Sequence, residues 1–167
     1  MKKNTTPPQL STPNAIGKEA GSAIAEAVNP LVADCFALYI KTKNFHWHLS
    51  GPHFRDYHLL FDEQADQIFA MIDILAERVR KLGGTTVHSI SHIAQLQTIK
   101  DDNQAYVEPK EMIQILLKDN QSFTKHLRDA HKICDDLEDV ATTSILEIFI
   151  DESERRSWFL FEISAHS

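Results

Sequence analysis

Histidines and carboxylates crowd one short stretch, "NFHWHLSGPHFRDYHLLFDEQ", running from Asn44 to Gln64. It carries His46, His48, His53 and His58, with Asp62 close behind. Residues four apart on a helix share a face, so His58 and Asp62 form one pair, and Asp73 and Glu77 form another. Asp62 and Asp73 are about three helical turns apart, which turns both pairs to roughly the same side. An imidazole with three carboxylates is a donor set for divalent iron, manganese or zinc. The obstacle is length: that separation rises ~16 Å along the axis, so one straight helix cannot bring both pairs to one ion. Two copies of the helix packed antiparallel can, and a two-fold axis between them makes two equivalent sites. His46, just before the turn, adds a nitrogen to the His58–Asp62 half. No Glu-x-x-His pair occurs anywhere in the chain, so a site built from such pairs inside a single bundle is excluded.

The other candidates have plainer readings. Taken alone, Asp73 and Glu77 are surface charges, and Asp66 on the same face is a competing ligand or a solvated one. His48 and His53 read as turn residues, and Trp47 as a core aromatic. His88, His92, His126, His131 and His166 are scattered and read as surface or interface residues, with a further metal site at His88 or His92 left open.

The elements that must hold these residues are helical. The chain has 167 residues, long enough for one domain with a real core, and only five glycines, too few for a turn-rich sandwich or barrel. Residues 1–14 are polar, carry three prolines and read as a flexible tail; residues 15–167 read as the folded body. A helical pattern runs from Ala15 to Leu49, with Pro30 either starting or kinking its main part. "SGP" at Ser50 to Pro52 is a turn. A second helix runs from Phe54 to Leu82, its apolar stripe made of Phe61, Ala65, Ile68, Phe69, Ile72, Leu75, Val79 and Leu82, and stops at Gly83-Gly84. A long connection follows, with a short helix expected at Ser91 to Ile99. Pro109 opens a third helix carrying Met112, Ile115, Leu116, Phe123, Leu127 and Ile133. A fourth starts near Thr142 to Ser144, where Ser144 and Glu147 have capping-box spacing. Short first and last connections with a long middle one predict an all-α four-helix bundle, crossover included, of the ferritin-like kind.

Composition narrows the setting. A net charge of −7 disfavours nucleic acid as a partner of the folded body. No run of about 18 apolar residues suggests a membrane span, and the first residues lack a signal-like apolar core, so a cytoplasmic location is expected. Cys35 and Cys134 read as small core residues without metal-type spacing.

The stretch from Lys41 to Gly84 closely resembles the core of the Dps family, the mini-ferritins that protect DNA during starvation; the likeness extends from about Leu31 to Phe161. The family's ferroxidase ligands follow H-x11-H-x3-D-x10-D-x3-E, filled here by His46, His58, Asp62, Asp73 and Glu77. The resemblance implies a hollow homododecamer built on two-fold dimers, with His46, His58 and Asp62 from one subunit meeting Asp73 and Glu77 of the other at a di-iron ferroxidase site. It implies oxidation of Fe(II), with hydrogen peroxide as the preferred oxidant, storage of the ferric product in the shell, and relief from oxidative damage. Zinc is a competing ion. Trp47 matches the family's tryptophan beside the site. The acidic run of Asp135, Asp136 and Asp139 falls where the family lines its three-fold pores, although Ser144 stands where many relatives have an aspartate. The alternative is a DNA-binding nucleoid protein using its N-terminal tail; with only Lys2 and Lys3 there, weak or absent DNA binding is expected.

Overall fold

The computed structural model describes residues 7–164. Helix α1 spans Lys18–His48, α2 Phe54–Lys81, α3 Ile90–Leu96, α4 Pro109–Asp136 and α5 Val140–Ser164, and no strand occurs among the described residues. Long-range bonds give the directions. Lys43 reaches Asp62 while Tyr39 meets Phe69, so α1 and α2 are antiparallel. Thr124 bonds Ser153 while His131 faces Glu147, so α4 and α5 are antiparallel too. Lys41 pairs with Asp119 and His126 with Asp34, which sets α4 antiparallel to α1 and therefore parallel to α2. Consecutive long helices that run parallel need a long connection, and the crossover of residues 82–108, which carries α3, supplies it.

The core lies where the apolar stripes meet: Val28, Leu31 and Leu38 of α1, Ile68 and Leu75 of α2, Leu116 and Phe123 of α4, Leu146 and Leu160 of α5. By length and composition α1 is apolar enough to cross a membrane, but over half of its most apolar stretch is buried inside this bundle. The helix runs on through Pro30 as one element. Cys35 and Cys134 are buried free thiols, and burial pushes the Cys134 thiol up to about 11.

The Gly83 stop has a local cause. Gly83 adopts φ +77°, and the Gly84 amide donates to the Val79 carbonyl, closing α2 with a left-handed residue that glycine adopts without strain. A Cβ on Gly83 would also lie 2.8 Å from the Thr12 carbonyl oxygen, because the N-terminal segment crosses here.

Several expectations change. Residues 7–14, expected in the tail, touch the end of α2. They form a 3-10 turn at Pro8–Leu10, Arg80 donates to the Leu10 carbonyl at 3.0 Å, and Asn14 donates to the Leu82 carbonyl at 3.0 Å. The rest of the expected tail, and His166, lie outside the described residues. The fourth long helix starts at Val140, with Ser144 inside it. Its cap is Asp139, whose carboxylate accepts from the Thr142 amide at 3.3 Å and from the Thr142 hydroxyl. Phe69, although it meets Tyr39, and Ile133 stay exposed because they sit off the centre of their stripes.

Candidate metal centre

The turn between α1 and α2 folds His58 back onto His46. The His46 Nδ1–H donates to the His58 carbonyl at 2.8 Å, and the His58 Nδ1–H donates to the His46 carbonyl at 3.0 Å. A carbonyl can only accept, so both protons are fixed on Nδ1 and both Nε2 lone pairs are left for a cation. The rings stack with centroids 3.7 Å apart, and Phe54 stacks on His58 at 4.9 Å. Two imidazoles are thus locked in one tautomer by backbone alone.

One turn beyond His58 on α2, Asp62 Oδ1 lies 3.8 Å from His46 Nε2. The same oxygen is ion-paired with Lys43, one turn before His46 on α1. That ammonium hydrogen bond, with the nearby His46 and His58, holds the Asp62 carboxyl below the usual carboxylate range, and Asp62 in turn raises Lys43. Sequence reading missed Lys43. Its only signal was helical spacing from His46, and the partner that gives it meaning sits on another helix.

Asp73 and Glu77 lie further along the same outward face of α2, both exposed. Glu77 pairs with Lys81 at 3.1 Å, one turn on, which is a solvated contact of small energy. Asp66 is exposed between the two halves. Among the described residues, no three His, Cys, Asp or Glu side chains of one chain converge as a metal cage. The chain therefore presents a nitrogen-rich cluster at one end of α2's outer face and a carboxylate pair at the other. Trp47 is 58% exposed rather than a core aromatic, and with Ile40, Leu59, Phe69 and Ile74 it makes this face unusually apolar for a surface.

The acidic run divides. Asp135 and Asp136 are exposed at the end of α4. Asp139 is buried, capping α5 and taking an Arg78 hydrogen bond at 2.7 Å, so its carboxylate ties α2 to α5. Elsewhere His48 donates to the Asn44 carbonyl, and His53 packs on Tyr57.

Comparison with known proteins defines the class. The ferritin-like domain family matches residues 25–165. The chain is 32% identical over 143 residues to an uncharacterized low temperature-induced protein of Nostoc, covering 85% of this chain and 80% of that one. It is 30% identical over 138 residues to DNA protection during starvation protein 2 of Bacillus anthracis, covering 82% and 93%. The Dps protein of Vibrio cholerae O1, described as a member of a broad superfamily of ferritin-like diiron-carboxylate proteins, superposes with a TM-score of 0.83 at 27% identity over 90% of this chain and 94% of that one. The chain belongs to the ferritin-like family and, within it, to the Dps proteins.

Proposed function

We propose that this protein is a ferroxidase mini-ferritin, taking Fe(II) as substrate at sites completed between two subunits and keeping the ferric product inside a dodecameric shell. The observation that carries the reading is the pair of half-sites on one outward face of α2. His46 and His58 present free Nε2 atoms beside Asp62, while Asp73 and Glu77 lie too far along the helix to reach the same ion. An inverted second copy brings Asp73 and Glu77 of the partner subunit against the histidine cluster. The apolar residues around the ligands favour such a cover, since water leaves them only when another surface packs there.

Each residue has a distinct task. The imidazoles, oriented by the backbone, bind through Nε2 without adding negative charge. The carboxylates of Asp62, Asp73 and Glu77 favour the ferric state and help electrons leave. Two Fe(II) give one electron each to hydrogen peroxide, whose O–O bond breaks; two protons are taken up and two waters form with two Fe(III). Consuming iron and peroxide together is protective. Trp47, exposed beside the cluster, is placed to take up a stray oxidising equivalent. Zinc suits the same donors and competes.

Asp135 and Asp136 are the acidic residues available for an access pore, since Asp139 is occupied with Arg78. A cytoplasmic setting, and weak or absent DNA binding by an acidic body, belong to the same proposal. The test is anaerobic loading with Fe(II) followed by peroxide, read by absorbance, in wild type, Asp62→Ala and Glu77→Ala. Both variants are expected to lose most of the rate; equal rates in all three would remove the ferroxidase reading.

A further inference from the structure

Most histidines in the described chain have committed ring nitrogens. His46 and His58 donate to carbonyls, His48 donates to Asn44, His126 meets Thr98 and Asp34, and His131 meets Glu147. His88 and His92, in the crossover, differ. Ser89 caps α3 by accepting from the His92 amide at 3.2 Å, and this turn folds position 88 back over position 92. Their rings lie 5.1 Å apart, centroid to centroid, tilted by 39°. Among the described residues, the only ring contact of either is with the other, and His92 Nδ1 is buried with no hydrogen-bond partner. A buried ring nitrogen without a partner costs free energy that a ligand would return.

We propose that His88 and His92 form a second metal site, a two-imidazole chelate for a borderline divalent cation, copper(II) ahead of zinc(II). The spacing fits. A ring nitrogen sits about 1.1 Å from its centroid and binds such an ion at about 2.0 Å, so the ion lies about 3.1 Å from each ring centre. Centroids 5.1 Å apart then subtend about 110° at the ion, an angle suited to tetrahedral or distorted square coordination. His88 is exposed and free to turn its nitrogen toward the gap, and water completes the shell. Ligand type sets the preference. Neither ring has a carboxylate partner, so the site lacks the oxygen donors that favour manganese and iron(II), and imidazole affinity rises toward copper. This chelate is separate from the iron ligands. Asn29 of α1 donates to the Thr85 carbonyl, which places the start of this segment toward the opposite end of α1 from His46.

The assembled full-length protein is titrated with copper(II), and binding is followed by calorimetry and by electron paramagnetic resonance for nitrogen coupling, in wild type, His88→Gln and His92→Gln. Each substitution is expected to weaken one class of site, one ion per chain, by tenfold or more and to remove its two-nitrogen signature. Peroxide-driven Fe(II) oxidation stays at the wild-type rate in both variants. Unchanged copper stoichiometry and affinity in both variants would overturn the proposal. So would a parallel loss of iron oxidation, which would assign the pair to the iron centre instead.

Discussion

Under the proposed function, Lys43 sits where an arriving cation must go. Its ammonium neutralises Asp62 and lowers that carboxyl, so a metal ion must displace it before Asp62 can ligate. Removing the competitor is expected to tighten binding. Lys43→Met should raise affinity for zinc(II), a redox-silent probe, by roughly three- to tenfold, a modest figure because Asp62 is 44% exposed and the ion pair is screened. Calorimetry checks this, and unchanged affinity would mean that the ammonium leaves at no cost. Asp62's folded value is depressed, so the pair's contribution is present above the unfolded value and fades as pH falls through the lower folded one. That the candidate ligands of α2 share one outward face was legible as spacing, because periodicity along a helix is a property of the sequence. Lys43 was not, since its role depends on which turn of α2 packs beside it.

Between elements, the buried polar contacts hold the bundle in register, and they were illegible beforehand because their partners are far apart in sequence. Arg156 of α5 is 1% exposed, donates to Asn120 Oδ1 of α4 at 2.9 Å, and has no carboxylate hydrogen-bond partner among the described residues; burial lowers it to about 10. Asn120→Leu strands that guanidinium and should cost about 3 kcal/mol, whereas Asn120→Leu with Arg156→Met should recover most of it, because no buried charge remains. Thermal unfolding at fixed protein concentration measures both, and an additive double variant would refute the coupling. Asp34 on α1 anchors the crossover, accepting from the Thr98 amide at 2.6 Å, the Thr98 hydroxyl at 2.8 Å and the Ile99 amide at 3.0 Å. Asp34→Ala leaves two amides without an acceptor and should lower stability by about 3 kcal/mol, with Asp34→Asn losing less. Hydrogen exchange should then quicken at Thr98 and Ile99 while the centre of α2 stays protected. The long helices were readable because stripes, proline and glycine act locally. The start of α5 was misplaced because Ser144 and Glu147 mimic a capping box, whereas the observed cap is Asp139.

For the whole molecule, the decisive question is where one site's ligands come from. The outward face of α1 and α2 carries both candidate ligand groups amid exposed Ile40, Trp47, Leu59, Phe69 and Ile74, so under the proposed function the surface that needs covering also holds the unfinished chemistry. Helix rise alone pointed to a second copy as the source of Asp73 and Glu77, and the fold adds the imidazole tautomers, both set within a single chain. Mixed assembly separates a shared site from a private one. A subunit with Asp62→Ala retains Asp73 and Glu77, and one with Glu77→Ala retains the histidine cluster. Each homogeneous variant shell should be nearly inactive. Denaturing the two together and reassembling them at equal ratio makes about half the dimers mixed, and each mixed dimer has one intact site and one doubly broken site. Roughly a quarter of wild-type Fe(II) oxidation should therefore return, as measured by initial rates with peroxide. If every ligand of a site came from one chain, mixing would restore nothing, and the two-subunit arrangement would have to be abandoned.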